Sequence, residues 1–193
     1  MDKLPVYVTE GQVRAKIAGV DERAARVFLA VHNALAAFRD EFDIFLSHSI
    51  KDASLILGVK LLLEEAGKSV YIDWIEDPDL ERAHVSGETA RKLRLRMGQC
   101  STLIYAYSRS SQRSRWMPWE LGYFDGTNGN VAILPIIPDQ GKLDFEKEEY
   151  LQLYPKIDLV GTSLFVNQSK ETETAAFKSF NDWRNGTDKL RVG

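Results

Sequence analysis

The stretch SRWMPWE, residues 114–120, places one carboxylate, Glu120, four residues after the indole of Trp116 and directly after that of Trp119. Two readings are open. Glu120 is either a solvated residue on an amphipathic helix, the commoner fate of a glutamate, or the acidic floor of a pocket with aromatic walls. In the second reading a carboxylate held away from water stabilises positive charge as it develops in a reaction, and the indole faces attract a cationic ring by about 0.5–2 kcal/mol.

Other groups able to touch a ligand stand at the ends of short apolar runs. FDIFLSHS (42–49) ends in Ser47, His48 and Ser49, SVYIDW (69–74) ends in Asp73 and Trp74, and STLIYAYS (101–108) is followed by Arg109 and Ser110. No histidine–acid pair is evident for the serines, which favours hydroxyl or backbone contacts over nucleophilic attack. His48 is either a substrate contact or a hydrogen-bonded structural histidine. Basic residues cluster in RKLRLR (91–96) and again at Arg109, Arg113 and Arg115, one of which could meet phosphate oxygens through its guanidinium.

These groups need a frame to bring them together. The runs 42–49, 69–74, 101–108, VAILPII (131–137) and KIDLV (156–160) read as five strands. Between them the spacing predicts helices over 52–67, 88–99 and 114–126, with Gly67 as a helix-ending glycine and a closing helix over 173–186. Alternating strands and helices imply a parallel sheet covered on both faces, with ligands at the carboxyl ends of the strands. Before this frame, residues 21–40 carry Ala24, Val27, Phe28, Val31, Leu35 and Phe38 at helical spacing. That face reads as a packing surface against the domain or, failing that, as a dimerisation arm.

Composition excludes several classes. The formal net charge of −3 over 193 residues gives no chain-wide basic field for nucleic acid. No run approaches the roughly 20 apolar residues of a membrane span, and MDKLPVYVTE lacks a secretory core, so a cytoplasmic location is expected. The single Cys100 and the widely separated His32, His48 and His84 offer neither a disulfide framework nor metal-ligand spacing. Cys100, leading into an apolar strand, reads as a small buried hydrophobe. GxGxxG and Walker A loops are missing, and the first and third strands end in SHS and YAYS, without the phospho-accepting aspartate of a receiver.

FDIFLSHS with Asp52, then YIDW and the polar loop IEDPDLERAHVSG, a strand opening at Ser101, and S-x-W-x-x-x-E-L together resemble the TIR (Toll/interleukin-1 receptor) domain in its bacterial, NAD-cleaving form, of the Thoeris-like antiphage-defence type. The resemblance runs from Glu41 to the C-terminus. It implies a flavodoxin-like five-stranded parallel sheet with helices on both faces over residues 41–193, preceded by an N-terminal helical extension over 1–40. IEDPDLERAHVSG would be the BB loop. The implied activity is cleavage of NAD+ at the nicotinamide–ribose bond, giving nicotinamide and ADP-ribose or a cyclic ADP-ribose.

Carried over residue by residue, the resemblance makes Glu120 catalytic and sets Trp116, Ser47, His48, Ser49, Asp73 and Trp74 around the substrate. NAD+ enters as substrate, with no separate cofactor and no metal. The implied partners are other TIR domains and a downstream effector sensing the nucleotide product, with neither nucleic acid nor membrane. A second class of function, a non-catalytic TIR–TIR module acting as adaptor or virulence factor, shares the fold, and a nucleoside deoxyribosyltransferase would use a related sheet and a glutamate. One departure concerns Pro118, which has no amide donor and belongs only in the first turn of a helix. Trp116 is therefore expected at the very start of that helix rather than one full turn below Glu120.

Overall fold

The computed structural model describes residues 7–36, 38–73, 87–140, 148–167 and 177–186. Along the chain these form β1 (Val8–Thr9), α1 (Glu10–Lys16), α2 (Glu22–Ala36), β2 (Phe42–Ser47), α3 (Ala53–Glu65), β3 (Val70–Tyr71), α4 (Gly87–Gly98) and β4 (Cys100–Tyr107). Then come α5 (Trp116–Thr127), β5 (Val131–Ile137), β6 (Lys156–Val160), β7 (Ser163–Asn167), β8 (Phe177–Ser179) and α6 (Phe180–Asn185).

Five parallel strands run β3-β2-β4-β5-β6 across the sheet, the flavodoxin-like order in which the chain starts in the middle and winds both ways. The sheet is larger than five strands. β7 and β8 continue it antiparallel beyond β6, and β1 pairs in parallel with the end of β5 through Val8–Ile136 and Thr9–Ile137. The β6–β7 hairpin is closed by two residues, of which Gly161 has φ 61, a turn with glycine first that matches the strand twist. The helix expected over 173–186 is correspondingly shorter, since Phe177–Ser179 is spent on β8. α3 ends as expected at Gly67, which has φ 74. Lys68 N–H bonds to Leu63 O at 3.1 Å and Gly67 N–H to Glu64 O at 2.9 Å, the paired bonds of a Schellman motif.

Strand side chains alternate between faces, and two cores follow from the alternation. Ile44, Leu46, Ile72, Ile104 and Ala106 point to the α3 side, together with Phe180 and Trp183 of α6. Phe45, Tyr71, Leu103, Tyr105 and Tyr107 point to the side covered by α4 and α5. α3 is buried on more than its sheet-facing side because α1 and α2 pack over it. Gly58 makes that possible: a Cβ there would stand 2.5 Å from Val13 Cγ1 and 2.6 Å from Val13 O. α1 itself starts with a capping box, in which Thr9 Oγ accepts Gln12 N–H at 3.2 Å and Gln12 Oε1 accepts Thr9 N–H at 2.9 Å.

The residues expected to pack α2 against the domain do not do so. Val27, Phe28, Val31, Leu35 and Phe38 lie between 53% and 89% exposed. The buried side is instead Ala25, Leu29 and Ala36, with His32 Nε2 donating to Val70 O at 2.9 Å. Positions 25, 29, 32 and 36 are also helically spaced, so α2 has two faces at the right period. The face of Ala25, Leu29, His32 and Ala36 is the one turned to the domain.

Candidate active site

Strand parity decides which groups meet. Ser47, the last residue of β2, shares the face of Phe45 and so points toward α5, where Glu120 lies on the inner side of the helix. Ser47 Oγ donates to Glu120 Oε2 at 2.6 Å. Both are buried, Ser47 fully and Glu120 at 2% exposure, which removes the reading of Glu120 as a solvated helix residue. A carboxylate taken out of water on a helix otherwise packed by Met117, Leu121 and Phe124 is retained only where something partners it.

α5 begins at Trp116, so Pro118 falls in the first turn, where no backbone donor is missed, and Trp116, although at the helix start, still sits one turn before Glu120. The hydroxyl of Ser114 accepts Met117 N–H at 3.3 Å at this helix start. Trp116 is 8% exposed and meets Trp119 edge-on, with centroids 5.4 Å apart and planes at 87°. Trp119 stacks on Tyr123 at 5.8 Å, and the Arg94 guanidinium lies 5.7 Å from the one ring and 5.6 Å from the other. Phe124 is a core residue, whereas Trp119 and Tyr123 pack against the core only in part. An aromatic and cationic wall thus rises beside Trp116, with Arg94 drawn from the run RKLRLR.

On the neighbouring strand Phe45 pairs with Tyr71. Asp73, two residues beyond Tyr71, is buried. His48 is 3% exposed, and its Nδ1 lies 2.9 Å from Leu46 O. A carbonyl only accepts, so Nδ1 carries the proton in the neutral ring. Ser49 is buried and leads into α3, its carbonyl accepting Asp52 N–H at 3.3 Å. Trp74 and the loop IEDPDLERAHVS lie outside the described residues. Ser47 and Glu120 are thus in direct contact, Asp73 is buried just beyond the neighbouring strand, and His48 and Ser49 belong to the turn that leaves β2.

A second polar cluster was visible in the sequence only as a strand end. Ser108, by the same parity, points to the α3 side; its hydroxyl donates to Asp52 Oδ2 at 2.8 Å, and the Ser110 hydroxyl donates to the same oxygen. Ser111 Oγ accepts Ser108 N–H at 3.0 Å and donates to Ser108 O at 2.7 Å, closing the turn after β4. Asp52 stands just before α3, so this cluster ties the end of β4 to the loop that carries His48 and Ser49. Arg109 is used locally, donating to Gln140 O. The thiol of Cys100 bonds to Arg96 O at 3.2 Å, and burial pushes it up to about 12, so it is no nucleophile at neutral pH.

A family model described as "TIR domain" matches residues 44–176. The chain belongs to the TIR domain family. Its matched region contains Ser47, Asp73, Trp116 and Glu120, and excludes α1 and α2. Over 130 residues, 67% of its length, this TIR protein is 50% identical to a protein of Bacillus cereus (strain MSX-D12) named "Probable 3' cyclic ADP-D-ribose synthase ThsB'". It is 35% identical over 83 residues, 42% of its length, to a protein of Cytobacillus dafuensis named "Putative cyclic ADP-D-ribose synthase TIR2". The matches span 66% of the first relative and 22% of the second. Among the described residues no helix is long and apolar enough to cross a membrane.

Proposed function

We propose that this TIR domain cleaves NAD+ between nicotinamide and ribose, with Glu120 as the catalytic residue, and that the ribosyl fragment closes on itself to give a cyclic ADP-ribose. The observation that carries the reading is the buried Glu120 carboxylate, held by the Ser47 hydroxyl at the carboxyl edge of the sheet beside Trp116. The names of both relatives favour the cyclic product.

The chemistry suits a single carboxylate. As the C1′–N bond breaks, its electron pair leaves with the pyridinium nitrogen and nicotinamide departs neutral, so no general acid is needed. Positive charge moves onto the ribose as an oxocarbenium ion. Glu120, accepting from the ribose hydroxyls, stabilises that charge in a site with little water to compete, an effect worth about 3 kcal/mol or more. Ser47 fixes one carboxylate oxygen and so its orientation, which spares reorganisation during the reaction. Trp116 offers a face or edge to the cationic nicotinamide ring. Capture by an atom of the same molecule, with loss of its proton, gives a cyclic product, and capture by water gives linear ADP-ribose. Further parts of the proposal are substrate contacts from Asp73, Trp74, His48 and Ser49, homotypic TIR–TIR association, a cytoplasmic setting, and an effector that reads the nucleotide in antiphage defence.

The test is NAD+ turnover followed by chromatography over a wide range of protein concentration, with Glu120→Gln alongside. Nicotinamide released by the unmodified chain alone, together with a product distinct from linear ADP-ribose, is the expected result. Silence at every concentration, including those at which the protein self-associates, would instead favour a non-catalytic interaction module.

A further inference from the structure

α3 starts in a way that its own sequence does not explain. Its N-cap residue is Asp52, a side chain well suited to accept the free N–H groups of a helix's first turn, yet Asp52 makes no such bond. Thr9 and Ser179, which cap α1 and α6 with their own hydroxyls, have ψ 153° and ψ 150°, whereas Asp52 has φ −120° and ψ 50°. Its carboxylate is turned to the end of β4 instead, where Oδ2 accepts the hydroxyls of Ser108 and Ser110.

The acceptors for α3 come from α2. Glu22, in the first turn of that helix, takes Ala53 N–H on Oε1 at 2.9 Å and Ser54 N–H on Oε2 at 3.0 Å, one carboxylate oxygen for each amide. Its negative charge also suits the N-terminal end of the α3 dipole. Glu22 lies outside the region matched to the TIR family, and Asp52, Ser108 and Ser110 lie inside it.

We propose that Glu22 is a positioning residue for the active site: by capping α3 from the extension it releases Asp52 to hold the end of β4, and so sets the loop between Ser47 and α3. The assignment rests on the reading of Ser47 and Glu120 as the site of NAD+ cleavage. That loop is short. Ser47 donates to Glu120, His48 and Ser49 follow, and Ser49 O accepts Asp52 N–H at 3.3 Å, so the conformation of Asp52 reaches back toward the catalytic carboxylate. Without Glu22, the amides of Ala53 and Ser54 lose their acceptors, and the nearest carboxylate in sequence is that of Asp52. As an N-cap side chain it serves the amide of Ser54 or Leu55, but from the extended ψ that Thr9 and Ser179 show. Reaching that ψ turns the loop relative to α3 and abandons Ser108 and Ser110. One carboxylate thus decides where another binds.

The test joins amide NMR in the absence of NAD+ with turnover kinetics, both on the full chain. Glu22→Ala is expected to move the resonances of Ser108, Ser110 and Ser47 to Ser49, those of the two β4 serines in the same directions as Asp52→Ala moves them. Changes confined to the starts of α2 and α3 overturn the proposal. In NAD+ turnover Glu22→Ala is expected to lower kcat about three- to tenfold with KM held within about twofold, because what is lost is the orientation of the Ser47–Glu120 pair. A cycle with Ser108→Ala/Ser110→Ala separates coupling from a simple loss of stability. The serine changes lower kcat on their own and lower it no further beside Glu22→Ala, since Asp52 has already left them. Additive losses, or a fall in Tm with kcat unchanged, overturn the assignment. Glu22→Gln, which keeps one acceptor oxygen, replaces Glu22→Ala if the latter does not fold, and the same changes are expected at smaller amplitude. If the unmodified chain releases no nicotinamide, the reading of the site fails by itself, and the spectra still decide whether Glu22 governs Asp52.

Discussion

Ser47 and Glu120 are 73 residues apart in sequence and meet at 2.6 Å, the hydroxyl of the first donating to the carboxylate of the second. The contact exists because β2 is the central starting strand of the winding and ends one residue short of the turn, while α5 lays its inner face over that end. A hydrogen bond to a charged group is worth about 1.5–3 kcal/mol. Ser47→Ala is therefore expected to slow nicotinamide release about ten- to a hundredfold, mainly in kcat, with the fold intact. Equal rates for the variant and the unmodified chain would remove Ser47 from the site.

Trp116 has a narrower assignment. If its ring faces the cationic nicotinamide, Trp116→Phe retains most of the activity and Trp116→Ala loses about 0.5–2 kcal/mol of substrate or transition-state interaction, a factor of roughly two to thirty, beyond any loss of packing. Measuring KM and thermal stability together separates the two: a loss in stability alone would make Trp116 a core residue.

The parallel core was legible because strands buried on both faces leave continuous apolar runs, and because Gly67 marks a helix end unambiguously. Glu120 was legible only as an incongruity, a carboxylate among indoles. Its burial depends on the distant Ser47, which no local pattern records. β7 was missed although VGTS between KIDLV and LFVN is a usable hairpin signal, glycine standing first in a two-residue loop. The buried face of α2 was misassigned because large apolar residues outweigh alanines in a hydrophobic pattern, and two of the positions turned to the domain, Ala25 and Ala36, are alanines. The Asp52–Ser108–Ser110 cluster gave no signal beyond a strand end, since hydroxyls at turns are common.

Gly58→Ala tests the close approach of α1 and α3. Alanine gains up to about 1 kcal/mol of helix propensity, but its methyl would overlap Val13, and overpacking costs about 1–3 kcal/mol or more. A fall in Tm of several degrees is expected. Gly122→Ala, where nothing stands within 4 Å, should leave Tm unchanged or raise it. Equal responses of the two variants would refute the contact.

His32 sets an acid limit on stability. Burial lowers its pKa from 6.5, and Lys60 lowers it further. The unfolded chain therefore takes up this proton first as pH falls, so the contribution is complete above about 6.5 and is lost on acidification through the folded value. Denaturant titrations between pH 8 and pH 5 should show a decline that His32→Gln flattens.

Cys100 should resist alkylation. With its thiol raised to about 12 by burial, iodoacetamide at pH 8 is expected to label the unfolded protein and spare the native one, and rapid native labelling would contradict the buried placement.

Gly58 belongs to the stretch shared with other TIR domains, and Val13, which occupies the space its missing side chain leaves, belongs to the stretch that is not. The two parts of this chain are consequently not interchangeable modules. A chimera that joins the first 40 residues to another TIR body needs a glycine at the corresponding position of its first helix, and a body supplied without them exposes a hollow in α3 shaped for Val13.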